Sequence, residues 1–129
     1  MNEPRWVLPD VVRLVHRLLL EEHGGSPGLR DSALLESVLH HPQQRFAYEP
    51  ACSLFDLAAA YGHGLAKNHP FVDGNKRMAL TIAALFLELN GHRLEAPEPE
   101  TVATIEALAT GELDERDFAD WLARWSVES

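Results

Sequence analysis

The chain is organised around one stretch of nine residues, His69-Pro70-Phe71-Val72-Asp73-Gly74-Asn75-Lys76-Arg77. Pro70 disfavours helical geometry at the residue before it, so a preceding helix should end near His69. Gly74 supplies the permissive backbone that a sharp turn needs. Asn75 is a favourable N-cap, and the apolar run after Arg77 is typical of a helix. The stretch therefore predicts a tight turn between two helices.

The charges at the start of the second of these helices oppose the helix dipole. Helix N-termini carry a partial positive charge, so Lys76 and Arg77 should each cost roughly 0.3–1 kcal/mol if nothing offsets them. An anion is the simplest offset. Free backbone N–H groups at a helix start already form an anion site, and the two cations would add charge-assisted hydrogen bonds. The pattern predicts a phosphate site.

Three other side chains of the stretch suit such a site. Asp73 would repel a polyanion unless a divalent cation such as Mg²⁺ bridges it to the phosphates. Taken alone, Asp73 is also typical of a turn residue that bonds to its own backbone. His69 is the nearest titratable residue and the natural proton acceptor, although an isolated loop histidine is more often satisfied by backbone. Phe71 is expected to anchor the loop in the core.

The composition indicates one compact domain. A chain of 129 residues with 46% hydrophobic content is long enough for one core and too short for two ordinary domains, so we predict a single domain over residues 1–129. The single cysteine, Cys52, allows no internal disulfide, which fits the cytoplasm. The N-terminus lacks a signal-peptide pattern, and the longest apolar run, residues 79–87, is too short to span a membrane.

The net charge of −9 argues against broad nucleic-acid binding, which depends on neutralising many phosphates. A small cationic pocket at Lys76 and Arg77 is compatible with that charge. We therefore predict no direct nucleic-acid partner and no membrane partner. The acidic excess toward the C-terminus is expected to be a solvated surface.

Hydrophobic periodicity predicts an all-α fold of about six helices. The first helix spans residues 9–23, with proline in its first turn. A short second helix is predicted to end at Pro42. Ser53 with Asp56 three positions later predicts a capping box at the start of the third helix, which leads to His69.

The fourth predicted helix, over about residues 75–90, is apolar on nearly every face. Such a helix is expected to be buried all round, so we predict a compact bundle around it as the central helix. A short extended segment at 93–96 should follow, and then two amphipathic helices over about 100–110 and 114–125. The phosphate loop would then lie on a rigid element, as a site requires.

Two glycines and the remaining histidines carry weaker signals. Gly62 and Gly64 lie within the third predicted helix, where each costs roughly 1 kcal/mol relative to alanine. Close packing of another helix or of a ligand would explain them, and helix packing is the favoured interpretation. The other six histidines show no metal-ligand spacing and are assigned to surface or core: His16, His23, His40, His41, His63 and His92.

The nine-residue stretch resembles the Fic-type motif, written His-x-Phe-x-Asp/Glu-Gly-Asn-Gly/Lys-Arg. All seven specified positions match. With Lys76, the motif is similar to the Doc branch of the Fic/Doc family, the "death on curing" toxins of toxin–antitoxin pairs. The chain length and the segments 24–31, 47–49 and 107–112 also look Doc-like, so the resemblance covers most of the chain. It implies the same all-α fold.

The resemblance implies a role for each motif residue. His69 would be the catalytic base, Asp73 the Mg²⁺ ligand and Phe71 the anchor of the loop. The phosphates of ATP would be bound by Gly74, Asn75, Lys76 and Arg77.

Two positions depart from the adenylyl-transferring Fic pattern. Lys76 replaces a glycine, and Leu80 replaces the second arginine of the longer motif. A lysine side chain fills the space in which glycine lets the backbone approach a phosphate, and it adds a charge. In the Doc branch, which shares both features, the resemblance implies that ATP binds in the reverse sense and that its γ-phosphate is transferred to a Ser or Thr hydroxyl.

Two other functions stay open. Adenylyl transfer (AMPylation) is the alternative if Lys76 does not block the usual nucleotide pose. A non-catalytic Fic-like protein that only binds or regulates a partner is the third hypothesis.

The resemblance also implies partners. The protein substrate would be elongation factor Tu, with translation arrest as the outcome. A small antitoxin of the Phd type would fold its disordered C-terminal segment into a helix on an apolar groove, for which Leu18 and Leu19 are candidates. A Ser32-x-x-x-Glu36 pattern resembles the self-inhibitory helix of some Fic proteins. Ser37 stands where glycine or asparagine is expected, so self-inhibition in cis is not predicted.

Overall fold

The computed structural model describes residues 2–129, which form six α-helices and one two-stranded antiparallel sheet. The all-α prediction with six helices is confirmed. In chain order the elements are α1 (Pro9–His23), α2 (Ser32–Tyr48), α3 (Leu54–Asn68), α4 (Asn75–Leu89), β1 (His92–Leu94), α5 (Glu98–Thr110), α6 (Glu115–Arg124) and β2 (Ser126–Glu128).

Local signals set both ends of α3, the helix that delivers the chain to the motif. The hydroxyl of Ser53 accepts a hydrogen bond from the Asp56 N–H at 3.0 Å, and the Asp56 carboxylate accepts one from the Ser53 N–H at 2.9 Å. The predicted capping box is therefore confirmed. At the other end the helix terminates at His69, immediately before Pro70, as the proline predicts.

The predicted end of the second helix at Pro42 is wrong. The helix α2 continues through Pro42 to Tyr48. An internal proline removes one backbone hydrogen bond and normally costs about 3 kcal/mol. Here the proline ring is itself buried, together with Leu35, Val38 and Leu39, on the side where α2 packs against α3. The apolar area buried by that face keeps the helix continuous.

The buried central helix is α3 and not α4, which corrects the prediction. Every residue of α3 from Leu57 to Ala66 except His63 is buried, and α3 packs against α2, α4, α5 and α6. One face of α4 is buried and another is only half-buried, at Leu80, Thr81, Ala84 and Leu85. The alanines and glycines of α3 let four helices approach it closely.

The two glycines of α3 lie where neighbouring helices come closest. A Cβ atom added at Gly62 would lie 2.6 Å from Cε2 of Phe118 on α6. One added at Gly64 would lie 2.7 Å from Cγ1 of Val38 on α2. Close helix packing therefore explains both glycines, as predicted.

The extended segment predicted at 93–96 corresponds to β1, which begins one residue earlier and ends two residues earlier than predicted. Its antiparallel partner β2 was not predicted. Within residues 2–129, no helix is long and apolar enough to cross a lipid bilayer.

Candidate active site

The motif lines one side of an open groove of about 480 Å³ at the N-terminus of α4. Six predicted site residues come together there: His69, Asp73, Gly74, Asn75, Lys76 and Arg77. The other wall belongs to α5, which contributes Thr101, Val102, Ile105 and Glu106. Phe71, the seventh predicted residue, is buried beneath the groove.

His69 occupies a backbone conformation that few residues adopt. Its φ and ψ are 50° and 57°, and it is the only non-glycine residue with positive φ within residues 2–129. Such a conformation costs on the order of 1–3 kcal/mol and requires support from its surroundings. Arg30 supplies that support, because its Nε donates to the His69 carbonyl and its Nη2 to the Asn68 carbonyl, both at 2.7 Å.

The loop before α2 also braces the motif through its backbone. The N–H groups of Arg30 and Asp31 both donate to the Pro70 carbonyl, at 2.8 and 3.1 Å. An antiparallel bridge pairs Leu29 with Phe71 in the same region. Backbone hydrogen bonds of the kind found between β-strands therefore hold the motif loop against the loop before α2.

A buried histidine of α1 supports the motif from beneath. The ring of His16 stacks on Phe71 with centroids 3.9 Å apart, and its Nε2 lies 2.9 Å from the Asp73 carbonyl oxygen. Because a carbonyl oxygen can only accept, this hydrogen bond requires a proton on Nε2. His16 therefore positions the backbone at Asp73.

Asn75 does not cap α4, which corrects the prediction. The N-cap is Gly74, in the left-handed conformation with φ 80°. That turn places Asn75 inside the helix, with its side chain directed back to the motif loop. Its Oδ1 accepts from the Phe71 N–H and its Nδ2 donates to the Phe71 carbonyl, both at 3.0 Å. The Asn75 side chain thus closes the loop on itself.

Three backbone N–H groups at the start of α4 lack an intrahelical acceptor. The helix has no side-chain cap, and its first backbone hydrogen bond runs from the Met78 N–H to the Gly74 carbonyl at 2.9 Å. The Gly74 N–H is already used, because it donates to Oδ1 of Asp73 at 2.8 Å. The N–H groups of residues 75–77 are left to bind an anion, as helix N-termini commonly do.

The Asp73 carboxylate is oriented by backbone donors. Its Oδ2 accepts from the Ser26 N–H at 3.0 Å, and its Oδ1 accepts from the Gly74 N–H. These two hydrogen bonds hold the pKa of Asp73 below its ordinary value, so the carboxylate is ionised at neutral pH. Each oxygen keeps an unused lone pair, which suits a metal ligand.

Asp73 is the only carboxylate of the motif. Among residues 2–129, no group of three or more His, Cys, Asp or Glu side chains is arranged to hold a metal ion. Mg²⁺ is usually bound through one or two carboxylates together with substrate phosphates. The single carboxylate of Asp73 fits a Mg²⁺ ion that bound phosphates complete, and does not fit a cage built from protein alone.

The two motif cations differ in their surroundings. The Lys76 Nζ lies 2.9 and 3.0 Å from the two carboxylate oxygens of Glu106 on α5. Arg77 is exposed and forms no ion pair within the part of the chain that the structure describes. Arg77 therefore presents a free positive charge to the groove, and Lys76 a neutralised one.

Sequence reasoning missed three residues that shape this site: His16, Arg30 and Glu106. Their partners lie 57, 39 and 30 positions away along the chain. Contacts at such separations leave no spacing pattern in a single sequence. Glu106 in particular belongs to the acidic segment that composition assigned to a solvated surface.

Comparison with known proteins agrees with this geometry. A family model described as the Fic/DOC family matches residues 6–87. The chain belongs to the Fic/DOC family. This Fic/DOC protein is 36% identical to "Protein kinase doc" of Escherichia phage P1 over 120 residues, which are 93% of this chain and 94% of the phage protein. It is 42% identical over 74 residues to "Toxin Doc" of Mycolicibacterium smegmatis, 57% of either chain. The family model ends before α5, so the Glu106 wall of the groove lies outside its match.

Proposed function

We propose that this Fic/DOC protein is the toxin of a toxin–antitoxin pair and acts as a protein kinase that transfers the γ-phosphate of ATP to a Ser or Thr hydroxyl. One juxtaposition carries the proposal. A single groove holds the exposed imidazole of His69, the ionised carboxylate of Asp73 and the cationic start of α4. The names of the two relatives, a protein kinase and a toxin, support the same activity.

The proposed reaction is a displacement at the γ-phosphorus. His69 takes the proton of the acceptor hydroxyl while the hydroxyl oxygen bonds to phosphorus. The bond to the β,γ-bridging oxygen breaks at the same time, and ADP leaves with that oxygen. The N–H groups of residues 75–77, together with Lys76 and Arg77, stabilise the charge on the phosphoryl oxygens.

The remaining site residues orient these groups. Gly74 provides the left-handed turn that brings the start of α4 to the groove, and Phe71 and the Asn75 side chain hold the loop. Asp73 would hold Mg²⁺, which would neutralise part of the phosphate charge.

The proposed partners follow from family membership. Elongation factor Tu is the proposed substrate in the cytoplasm, with translation arrest as the result. The proposed antitoxin is Phd-like and binds with a helix formed on contact. Of the two predicted candidates, Leu18 is 50% exposed and offers apolar surface for such a helix, whereas Leu19 is partly buried against the core. Leu14, on the same helix, is 42% exposed.

Adenylyl transfer is the second candidate, and one observation favours keeping it. The Lys76 side chain is directed to Glu106 on α5, so its ammonium is held at the far wall of the groove. Lysine was expected to fill the space above the turn, where it would disfavour the usual Fic nucleotide pose. Its attachment to α5 weakens that objection.

Intact-protein mass spectrometry separates the two reactions. Elongation factor Tu is incubated with the protein, ATP and Mg²⁺, and we expect a phosphoryl increment. An adenylyl increment would instead support the second candidate, and the absence of any increment would remove elongation factor Tu as the substrate.

Both His69→Ala and His69→Asn are tested. Asparagine tolerates the left-handed backbone at this position, so His69→Asn controls for backbone strain. Both variants should keep the wild-type melting temperature within a few degrees and lose transfer. Full transfer by either would contradict the role of His69. A wild-type melting temperature that ATP and Mg²⁺ leave unchanged would favour the non-catalytic hypothesis, since a ligand of the native state must stabilise it.

A further inference from the structure

The ion pair between Lys76 and Glu106 spans the groove from α4 to α5. Both oxygens of one carboxylate approach one ammonium, at 2.9 and 3.0 Å. Both side chains are about half exposed, at 49% and 56%, and both residues line the groove. The cation at the predicted phosphate site is thus engaged by a carboxylate of the chain itself.

A phosphate group and Glu106 would compete for the same donor. An ammonium has three N–H bonds, and the carboxylate of Glu106 takes the place of an anion in front of Lys76. A phosphate that reaches Lys76 must share the ammonium with Glu106 or displace it, and it meets the negative charge of Glu106 on the way.

The strength of the pair allows exchange. An exposed ion pair contributes about 0–1 kcal/mol, whereas a phosphate at this position also bonds to the free N–H groups of residues 75–77. Arg77 has no such competitor within residues 2–129, so an anion reaches Arg77 without breaking an ion pair. Of the two motif cations, Lys76 is therefore the one at which an ion pair within the chain opposes phosphate binding.

We propose that Glu106 is a positioning residue of the nucleotide site, which holds Lys76 and thereby lowers the affinity of the site for a phosphate chain. The inference rests on the proposed nucleotide site. It assigns to α5 a direct role in setting the affinity for ATP. Removal of the Glu106 charge should tighten nucleotide binding, and the gain should require Lys76.

Isothermal titration with the β,γ-imido analogue of ATP and Mg²⁺ tests this proposal. The proteins are wild type, Glu106→Gln, Lys76→Gln and the double variant. Glu100→Gln is the matched control, because Glu100 is exposed on the same helix, does not line the groove and undergoes the same change of charge. We expect Glu106→Gln to lower Kd by about two- to five-fold, the factor that corresponds to losing a weak competing ion pair.

Each outcome decides the proposal. Support requires a lower Kd in Glu106→Gln, an unchanged Kd in Glu100→Gln and no gain from Glu106→Gln when Lys76 is already Gln. An equal gain in the control, or a gain that persists without Lys76, would mean a general charge effect and would overturn it. An unchanged or weaker affinity in Glu106→Gln would also overturn it while leaving the nucleotide site intact. If neither wild type nor any variant binds the analogue, the proposed nucleotide site fails and the inference fails with it.

Discussion

The Asp73 carboxylate fits against the backbone of the loop that follows α1 only because residue 25 is glycine. Gly25 has φ 122°, a conformation that L side chains rarely adopt. A Cβ atom there would lie 2.9 Å from Oδ2 of Asp73 and 3.0 Å from Cδ2 of Leu20. The same Oδ2 accepts the Ser26 N–H. The orientation of the proposed metal ligand therefore depends on a residue that is distant in the sequence.

We expect Gly25→Ala to reduce the free energy of unfolding by about 2–3 kcal/mol and to weaken Mg²⁺-dependent nucleotide binding. Gly24→Ala is the matched control, because Gly24 also has positive φ, 79°, but a Cβ atom there meets nothing within 4 Å. Backbone strain alone should cost Gly24→Ala about 1–3 kcal/mol, and nucleotide binding should be unchanged. Urea unfolding and titration of the nucleotide analogue measure both effects. Equal losses of nucleotide binding in the two variants would show that contact with Asp73 has no consequence.

The C-terminus of α3 sets the position of His69 in the site. Arg30 donates to the carbonyls of Asn68 and His69, at the C-terminus of α3, and so covers the negative end of the helix. The same residue pairs its backbone N–H with Pro70. Arg30 thus connects the loop before α2 to the end of α3 and stabilises the left-handed conformation of His69.

Arg30→Lys keeps the charge but loses the planar fork that reaches both carbonyls. We expect a loss of about 1 kcal/mol in unfolding free energy and a larger relative loss of transfer, because the His69 backbone is no longer held. Arg13→Lys, on the exposed side of α1, is the control and should behave as wild type. The melting temperature and the rate of transfer are the readouts. A variant that retains full transfer would show that Arg30 is dispensable for the position of His69.

The close contact between α3 and α6 at Gly62 predicts that Gly62→Ala is destabilising. At Gly62 an added methyl group would meet Cε2 of Phe118 at 2.6 Å and the carbonyl oxygen of Ala79 at 3.3 Å. Alanine gains about 1 kcal/mol in helix propensity, but overpacking should outweigh it, with a net loss of about 1–2 kcal/mol. A double-mutant cycle with Phe118→Leu checks this by urea unfolding. Strict additivity of the two changes would exclude the clash with Phe118 as the cause.

Across the whole molecule, Glu115 ties α6 to two other helices. Its Oε2 lies 3.0 Å from Nη1 of Arg45 on α2, and its Oε1 lies 3.4 Å from Nδ1 of His63 on α3 and 3.8 Å from Nε2 of His41. Burial by itself raises the pKa of Glu115, but these partners outweigh burial and hold the pKa below its ordinary value of 4.5. Glu115 is therefore a charged connection between α2, α3 and α6.

This lowered pKa predicts the direction of an acid effect. A carboxylate with a lower pKa in the folded state stabilises the fold above its unfolded pKa, and that contribution is lost as the pH falls through the folded value. At neutral pH, Glu115→Gln should cost about 1–2 kcal/mol, because Arg45 loses its closer carboxylate partner and keeps only Asp56, at 3.9 Å. The difference from wild type should shrink from about pH 4.5 downward.

Urea unfolding at a series of pH values measures this difference. Glu112→Gln, an exposed residue in the loop between α5 and α6, is the control and should match wild type throughout. A difference between Glu115→Gln and wild type that stays constant with pH would contradict the proposed ionic link.

The predictions that succeeded rest on signals contained within a few residues. The first turn of α1 begins with Pro9, and the Ser53–Asp56 capping box needs only four consecutive residues. The motif brings the candidate site residues together because they are consecutive. The predictions that failed depended on a packing partner. Pro42 is tolerated because its face of α2 is buried on α3, and Asn75 turns inward because Phe71 offers it two backbone partners.

Local sequence was thus enough for the fold class, most helix boundaries and the chemical groups of the candidate site, since these depend on periodicity, caps and neighbours along the chain. Only tertiary structure decided which helix is central, how His69 is held and what faces Lys76. Those answers come from His16, Arg30 and Glu106, which meet the motif from three separate segments. The physical reason is that close packing and ion pairing depend on distances in space. Residues that are far apart in the sequence can be close in the fold, and no local sequence pattern reveals such contacts.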